Sequence, residues 1–258
     1  TLLENINKAV AVVGTRRCTE DGAAKAGELA KCLAEQGRPL VSGMALGVDA
    51  AHRASLALGA PTLAVLAHGF DRVHPKGNER LALRLLESGG AWVTEHPPGT
   101  KVLPWMFAAR NRILVGLCEA TVMVQSPLKG GSMISAKLAL DYNSEVFAVM
   151  PEKGFSRVWE GNKELIVNSE AQKLIRVEDL PLFLSGVSAG GGTISTAGVG
   201  ACVTKLASGF ASAIAAANGS TGCWSSFSGC TTVTFTSGDP GSFSTLLTLV
   251  TAALDKSS

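Results

Sequence analysis

Between residues 9 and 150, short apolar runs alternate with segments of helical period, and this alternation limits the fold more than any other feature of the chain. The runs are VAVV, PLVSG, TLAVLAHG, AWVTE, ATVMVQS and EVFAVM. Each is nearly continuous in Val, Leu and Ala, the pattern of strands covered on both faces. Between them lie EDGAAKAGELAKCLAEQG, VDAAHRASLALG, NERLALRLLESGG, FAARNRILVGL and SMISAKLALDYN. These segments close on Gly37, Gly59, Gly89 or Asn143, residue types suited to left-handed helix C-caps. Strand and helix repeating in this way predict an α/β fold: a mostly parallel sheet with right-handed crossovers and helices on both faces.

The pattern stops near residue 185. Residues 1–184 hold 40 of the 44 Asp, Glu, Lys and Arg, and the last 74 hold only Lys205, Asp239, Asp255 and Lys256. The expected organisation is a domain over 1–184, a Gly/Ser/Thr-rich linker over 185–201 and a small low-charge segment over 202–258. Within that segment, CVTKLASGFASAIAAANG reads as an apolar helix, TTVTFTS as a strand and FSTLLTLVTAALDK as a second helix. So few charges argue against a solvated disordered tail.

Composition narrows the partners. The formal net charge of the 258 residues is only +2, so any anion site must come from local clustering of Arg and Lys. Six cysteines show neither a CxxC pair nor metal-like spacing with His, and read as free thiols of a reducing cytoplasm. No metal or cofactor is expected. No apolar run approaches the roughly 18 residues of a membrane span, so no membrane partner is expected either.

In open parallel sheets, ligands sit outside the carboxyl ends of the strands. Those ends here carry GTRR, SGMALGVDAAH, AHGFDRVHPKGN, EHPPGTK and QSPLKGGSMIS. Glycines, small hydroxyls and basic residues gather on that one edge, which predicts a phosphate-seeking rim. In the first turn, Gly14 and Gly22 are too far apart for a dinucleotide loop, and Arg16 and Arg17 stand where glycines would. Gly43 and Gly47 permit positive φ or close backbone approach ahead of a helix. Asp49 reads as a dipole-complementing charge and His52 as a packed side chain. Arg110 and Arg112 flank Asn111 near Phe107, suiting phosphate forks beside a stacking platform. Lys129, Gly130, Gly131 and Ser132 resemble an anion nest at a helix start, but the Gly-Lys-Ser order of a Walker loop is absent. No nucleophile elbow or zinc-spaced set appears, and binding groups outnumber reactive ones, so a binding protein is expected rather than an enzyme.

In order and spacing these loops resemble the DNA-processing protein A (DprA, or Smf) family. The resemblance runs through VVGTRR, VSGMALGVDAAHRASLALGAPTLAVLAHGFDRVHP, TEHPPGT, FAARNRILVGL, GGSMISAKLAL, EVFAVM and EGNKELI, and covers roughly residues 9–180. It implies an extended Rossmann-like domain that binds single-stranded DNA in a basic pocket, dimerises, and helps load a RecA-type recombinase in natural transformation. By matching position the pocket would use Arg16, Ser42, Gly43, Phe107, Arg110, Arg112, Gly131 and Ser132. Arg17 and Lys129 would be neighbours without a firm motif match. Leu46 stands where the family often has Arg, and Ala108 where it often has Pro. A C-terminal winged helix is not recognisable, and neither is the N-terminal helical extension of many members. A competing expectation is a nucleotide-binding sensor or a phosphoribohydrolase-like enzyme of the same wider superfamily. Against the enzyme, PLKGGSMIS lacks the GxGT continuation and the Glu that such hydrolases carry.

Overall fold

The computed structural model describes Leu2 and residues 4–151, 154–185, 230–235 and 247–252. Its strands are β1 (Val10–Val13), β2 (Leu40–Ser42), β3 (Thr62–Val65), β4 (Ala91–Thr94), β5 (Ala120–Met123), β6 (Glu145–Val149), β7 (Gln172–Leu174), β8 (Cys230–Phe235) and β9 (Leu247–Ala252). Its α-helices are α1 (Glu20–Glu35), α2 (Asp49–Ala57), α3 (Glu79–Glu87), α4 (Pro104–Gly116), α5 (Gly131–Asp141), α6 (Glu160–Val167) and α7 (Leu180–Leu184). The strands form one sheet in the order β7-β6-β5-β1-β2-β3-β4-β9-β8. The first seven in that order run parallel, with Val10 opposite both Leu40 and Ala120. β9 joins β4 antiparallel, and β8 pairs antiparallel with β9. This is the expected Rossmann-like α/β architecture.

Helices cover both faces of the sheet. Alternate residues of β1 point opposite ways. Ala9, Ala11 and Val13 pack with Ile113, Leu114, Ala136 and Leu165, which brings α4, α5 and α6 to one face. Val10 and Val12 pack with Ala26, Leu29, Leu33 and Ala51 of α1 and α2, and Leu180 of α7 joins that side. Burying a leucine such as Leu29 completely contributes about 1.5–3 kcal/mol. The central strands are buried at every position, as continuous apolar runs require. Gly37 (φ +62°) and Asn143 (φ +54°) follow α1 and α5 in the left-handed region, as their residue types predict.

Two elements depart from the sequence expectation. β7 is a seventh parallel strand; at three residues, with Lys173 exposed and Gln172 half-buried, it has too little apolar pattern to be read. FSTLLTLVTAALDK does not form the expected helix over 247–252 but the strand β9. Its LTLVTA core is rich in β-branched residues, and the open edge of β4 supplies a hydrogen-bonding partner, which together outweigh the helical spacing. TTVTFTS overlaps β8, as expected. The linker 185–201, apart from Ser185, and the helix expected over 202–219 lie outside the described residues.

The chain steps outward from β1 through β2 and β3 to β4, then returns to the other side of β1 with β5. The β1/β5 boundary is therefore the topological switch point, where a crevice opens beyond the carboxyl ends.

Candidate functional site

A cleft of about 560 Å³ opens at that switch point. Its lining comes from the ends of β1 and β2, the loop after β3, and the helices α4 and α5. Of the residues singled out in the sequence, Arg16, Arg17, Ser42, Gly43, Phe107, Arg110, Asn111, Gly131 and Ser132 line it. Gly47, Arg112, Lys129 and Gly130 are not among its lining residues. Arg112 instead pairs with Glu95 at the end of β4. Gly47 (φ +88°) turns the loop against Thr15 and Cys18, while Lys129 is exposed.

Arg110 dominates the floor. It projects from α4, is 5% exposed, and donates from Nη1 to the carbonyl of Val65 at the end of β3 (2.7 Å). Its buried Nε has no hydrogen-bond partner, and among the described residues no carboxylate forms an ion pair with it. Desolvation, with the charge of Arg16 second, pushes its pKa down to about 10. A guanidinium remains charged at neutral pH even so. The cleft therefore carries a buried positive charge without an acidic counterpart, the arrangement an incoming anion would relieve.

Arg16 and Phe107 stand above it. The Arg16 guanidinium lies 5.3 Å from the Phe107 ring centroid, a cation–π contact. His74, from the loop after β3, meets the same ring with centroids 5.3 Å apart and planes inclined at 52°.

The two serines are committed internally. Ser42 Oγ donates to the carbonyl of Val12 (2.7 Å). Ser132 Oγ donates to Ser126 Oγ (2.8 Å), which in turn donates to the carbonyl of Pro127 (3.0 Å). Their hydroxyl protons hold the loops, leaving oxygen lone pairs rather than donors for a ligand. Gly131 opens α5 at the cleft, and the preceding Gly130 offers no side-chain cap to the first amides of that helix.

Several positioning residues escaped the sequence reading. Asn162 is fully buried at the start of α6: its Oδ1 accepts from the Ser126 amide (2.8 Å), and its Nδ2 donates to the carbonyls of Met123, Val124 and Val149. It ties the end of β5 to the end of β6; the GN pair in EGNKELI was the visible signal. Asn78 Nδ2 donates to the carbonyl of Met44 (2.9 Å), fixing that residue at φ +56° in the loop after β2. Gln125 closes the N-terminus of α1. Its Oε1 accepts from the Thr19 amide (2.9 Å), its Nε2 donates to Thr19 Oγ1 (2.9 Å), and its backbone carbonyl accepts from the Thr15 amide (2.7 Å). The helix end where a dinucleotide fold holds pyrophosphate is thus filled by the protein itself.

His52 is a packed side chain, as expected. Thr62 Oγ1 spends its proton on the carbonyl of Leu40, so His52 Nδ1 donates to Thr62 (2.8 Å). Burial first, then the Arg110 charge, pushes the His52 pKa down to about 3. Asp49 opens α2, almost buried, and accepts from Arg53 (3.1 Å). Cys18, Cys32 and Cys118 are free. Among the described residues, no His, Cys, Asp and Glu cluster could hold a metal, and no helix is long and apolar enough to cross a membrane.

The same geometry can be set beside known proteins. The family described as DNA recombination-mediator protein A matches residues 1–185. DNA processing protein DprA of Bacillus subtilis is 40% identical over 150 residues, 58% of this chain and 50% of that protein. Protein Smf of Escherichia coli is 39% identical over 141 residues, 54% of this chain and 38% of its own length. The chain thus spans half or less of the length of these two relatives. Among solved structures, DprA from Streptococcus pneumoniae superposes with a TM-score of 0.63 at 33% identity, covering 70% of this chain and 62% of that one. A structure described as showing the single-stranded DNA binding mode of DNA processing protein A from Helicobacter pylori superposes with a TM-score of 0.64 at 30% identity, covering 71% and 82%.

Proposed function

The chain belongs to the DNA recombination-mediator protein A family, and from that premise we propose that its cleft binds single-stranded DNA without strong sequence preference. The observation that carries this reading is the buried, acid-free guanidinium of Arg110 beneath Arg16. A backbone phosphate entering the cleft offsets the repulsion between these two cations. Arg17, on the same rim, adds charge toward the next phosphate. Phe107, beside both, offers an aromatic surface that any base can use. Gly43 makes room for the Arg110 guanidinium and Gly131 for the strand, with Asn111 on the same wall. Gly47, Arg112, Lys129 and Gly130 act around this cleft rather than in it: Gly47 and Gly130 shape loops, Lys129 extends the positive rim, and Arg112, paired with Glu95, braces α4 against the end of β4. The Helicobacter pylori relative, whose description names single-stranded DNA binding, supports the same reading.

In this reading the protein is a binding module rather than an enzyme. It works in the cytoplasm as a homodimer, handing single strands to a RecA-type recombinase during recombination or DNA uptake. The closed N-terminus of α1 counts against the sensor or hydrolase alternative, since it removes a ready phosphate site for a small nucleotide.

Fluorescence anisotropy with a labelled oligonucleotide across a salt series tests the proposal. Affinity should fall linearly on a log–log salt plot, single strands should outcompete duplex, and Arg16→Ala should lower the slope by about one. Arg84→Ala, on the exposed end of α3, should change nothing. Absence of binding at low salt, or equal losses for Arg84→Ala and Arg16→Ala, overturns it. A thermal shift with mononucleotides but not oligonucleotides would favour the sensor.

A further inference from the structure

His74 is exposed at the cleft, yet its position is tightly built. Its backbone amide donates to Nε2 of the buried His68 (3.1 Å). An accepting Nε2 places the His68 proton on Nδ1, which donates to the carbonyl of Gly69 (2.8 Å). The His68 carbonyl accepts from Thr94 Oγ1 at the end of β4 (2.7 Å). A buried imidazole with both nitrogens satisfied therefore clamps the loop that carries His74. Burying such a polar side chain is tolerated only because its hydrogen bonds are complete, so the loop conformation is specified rather than incidental.

What the clamp presents is a ring. His74 and Phe107, inclined at 52°, form two walls of a wedge rather than a closed stack. Arg16 approaches Phe107 as well, so residues from three separate strand-end loops and helices converge on one aromatic centre. Arg16 and Arg110 already provide positive charge; a planar π surface is what His74 adds.

We propose that His74 is a further recognition residue of the cleft, its imidazole forming with Phe107 a notch that contacts a nucleobase rather than a phosphate. This rests on the strand-binding reading above and names the part of the ligand that His74 meets. Base contact through a ring face is tolerant of sequence, in keeping with a cleft that has few side-chain donors free for base edges.

The test compares a labelled oligothymidine with an abasic oligonucleotide of equal length, which keeps the phosphates and lacks the bases. His74→Ala should weaken oligothymidine binding by about 5- to 20-fold and leave binding of the abasic strand unchanged. His74→Phe should restore the affinity, and His74→Lys should not. Four results overturn the assignment: wild-type affinity in His74→Ala, equal losses on both strands, rescue by Lys alone, or failure of Phe to rescue. If the unsubstituted protein binds no oligothymidine, the strand-binding reading fails and takes this one with it. If it binds, and Phe107→Ala weakens binding while His74→Ala does not, only the role of His74 fails.

Discussion

Gly43 lies directly against the guanidinium of Arg110, so close that a methyl group on Gly43 would overlap Nη1, Cζ and Nη2 together. The glycine at the end of β2 is what lets a side chain from α4 cross the floor of the cleft and reach Val65 on β3. Gly43→Ala must push Arg110 off its hydrogen bond. The atoms displaced are the end of a flexible side chain, so the loss is about that of one hydrogen bond, roughly 0.5–1.5 kcal/mol, which urea unfolding should show with an unchanged slope. Oligonucleotide affinity should fall at least as far as in Arg110→Ala.

Arg110 separates stability from binding. Removing a buried charge that lacks an acidic partner relieves desolvation and the repulsion from Arg16, while the Val65 carbonyl loses one donor. These effects oppose each other. Arg110→Met, similar in length and neutral, should keep its melting temperature within about 2–4 °C of the parent, the shift that roughly 1 kcal/mol produces in a domain of this size. Its affinity for single strands should fall by about tenfold or more, since a charge-assisted bond is worth roughly 1.5–3 kcal/mol. Calorimetry paired with anisotropy on the same preparation checks both halves.

The fold was open to reading because strand and helix periods are local properties: six of the seven parallel strands announce themselves as runs such as VAVV and ATVM. β7 did not, being short and half-polar, and β9 did not, because its state depends on the edge of β4 rather than on its own spacing. The cleft followed from topology, which sends every strand-end loop to one edge. Arg112 illustrates the limit. It lies two residues from Arg110 on α4, and a two-residue step on a helix turns the side chain well away from its neighbour, here towards Glu95. Hubs such as Asn162 and Gln125 serve partners more than ten residues distant in the chain, and no local pattern reports such pairs.

His52 makes stability depend on pH. The folded protein holds it neutral, with a pKa near 3, whereas the unfolded chain titrates it in the ordinary imidazole range of about 6.5. Between those values the unfolded state binds the extra proton, so stability is fully present above about pH 6.5 and declines as pH falls, by roughly 1.4 kcal/mol per unit for one proton. His68, lowered chiefly by burial, adds a loss of the same sign. Urea unfolding at pH 7.5, 6, 5 and 4 should show the decline, and His52→Gln should flatten it even if its stability at pH 7.5 is lower.

Gln125 and Thr19 explain why the turn after β1 holds arginines where a dinucleotide fold would hold glycines. Gln125 Oε1 accepts from the amide of the N-cap residue Thr19, the Thr19 hydroxyl accepts from the Gly22 amide, and Gly22 packs against the Gln125 side chain. With those donors satisfied and the acidic Glu20 and Asp21 in the first turn, the helix end has little to offer a pyrophosphate, and recognition passes to the Arg16 side chain lining the cleft. Millimolar dinucleotide should therefore leave the melting temperature of the protein unchanged. Gln125→Ala removes both side-chain bonds to Thr19, whose exposed groups can turn to water, at roughly 0.5–1.5 kcal/mol per bond. The variant should unfold earlier in urea, and its amide exchange should rise over residues 19–22 before the rest of α1. Its affinity for single strands should hold, because the Thr15 amide bonds to the backbone carbonyl of residue 125, which the substitution keeps. Unchanged exchange at the start of α1, or a dinucleotide-dependent rise in melting temperature, would contradict this account.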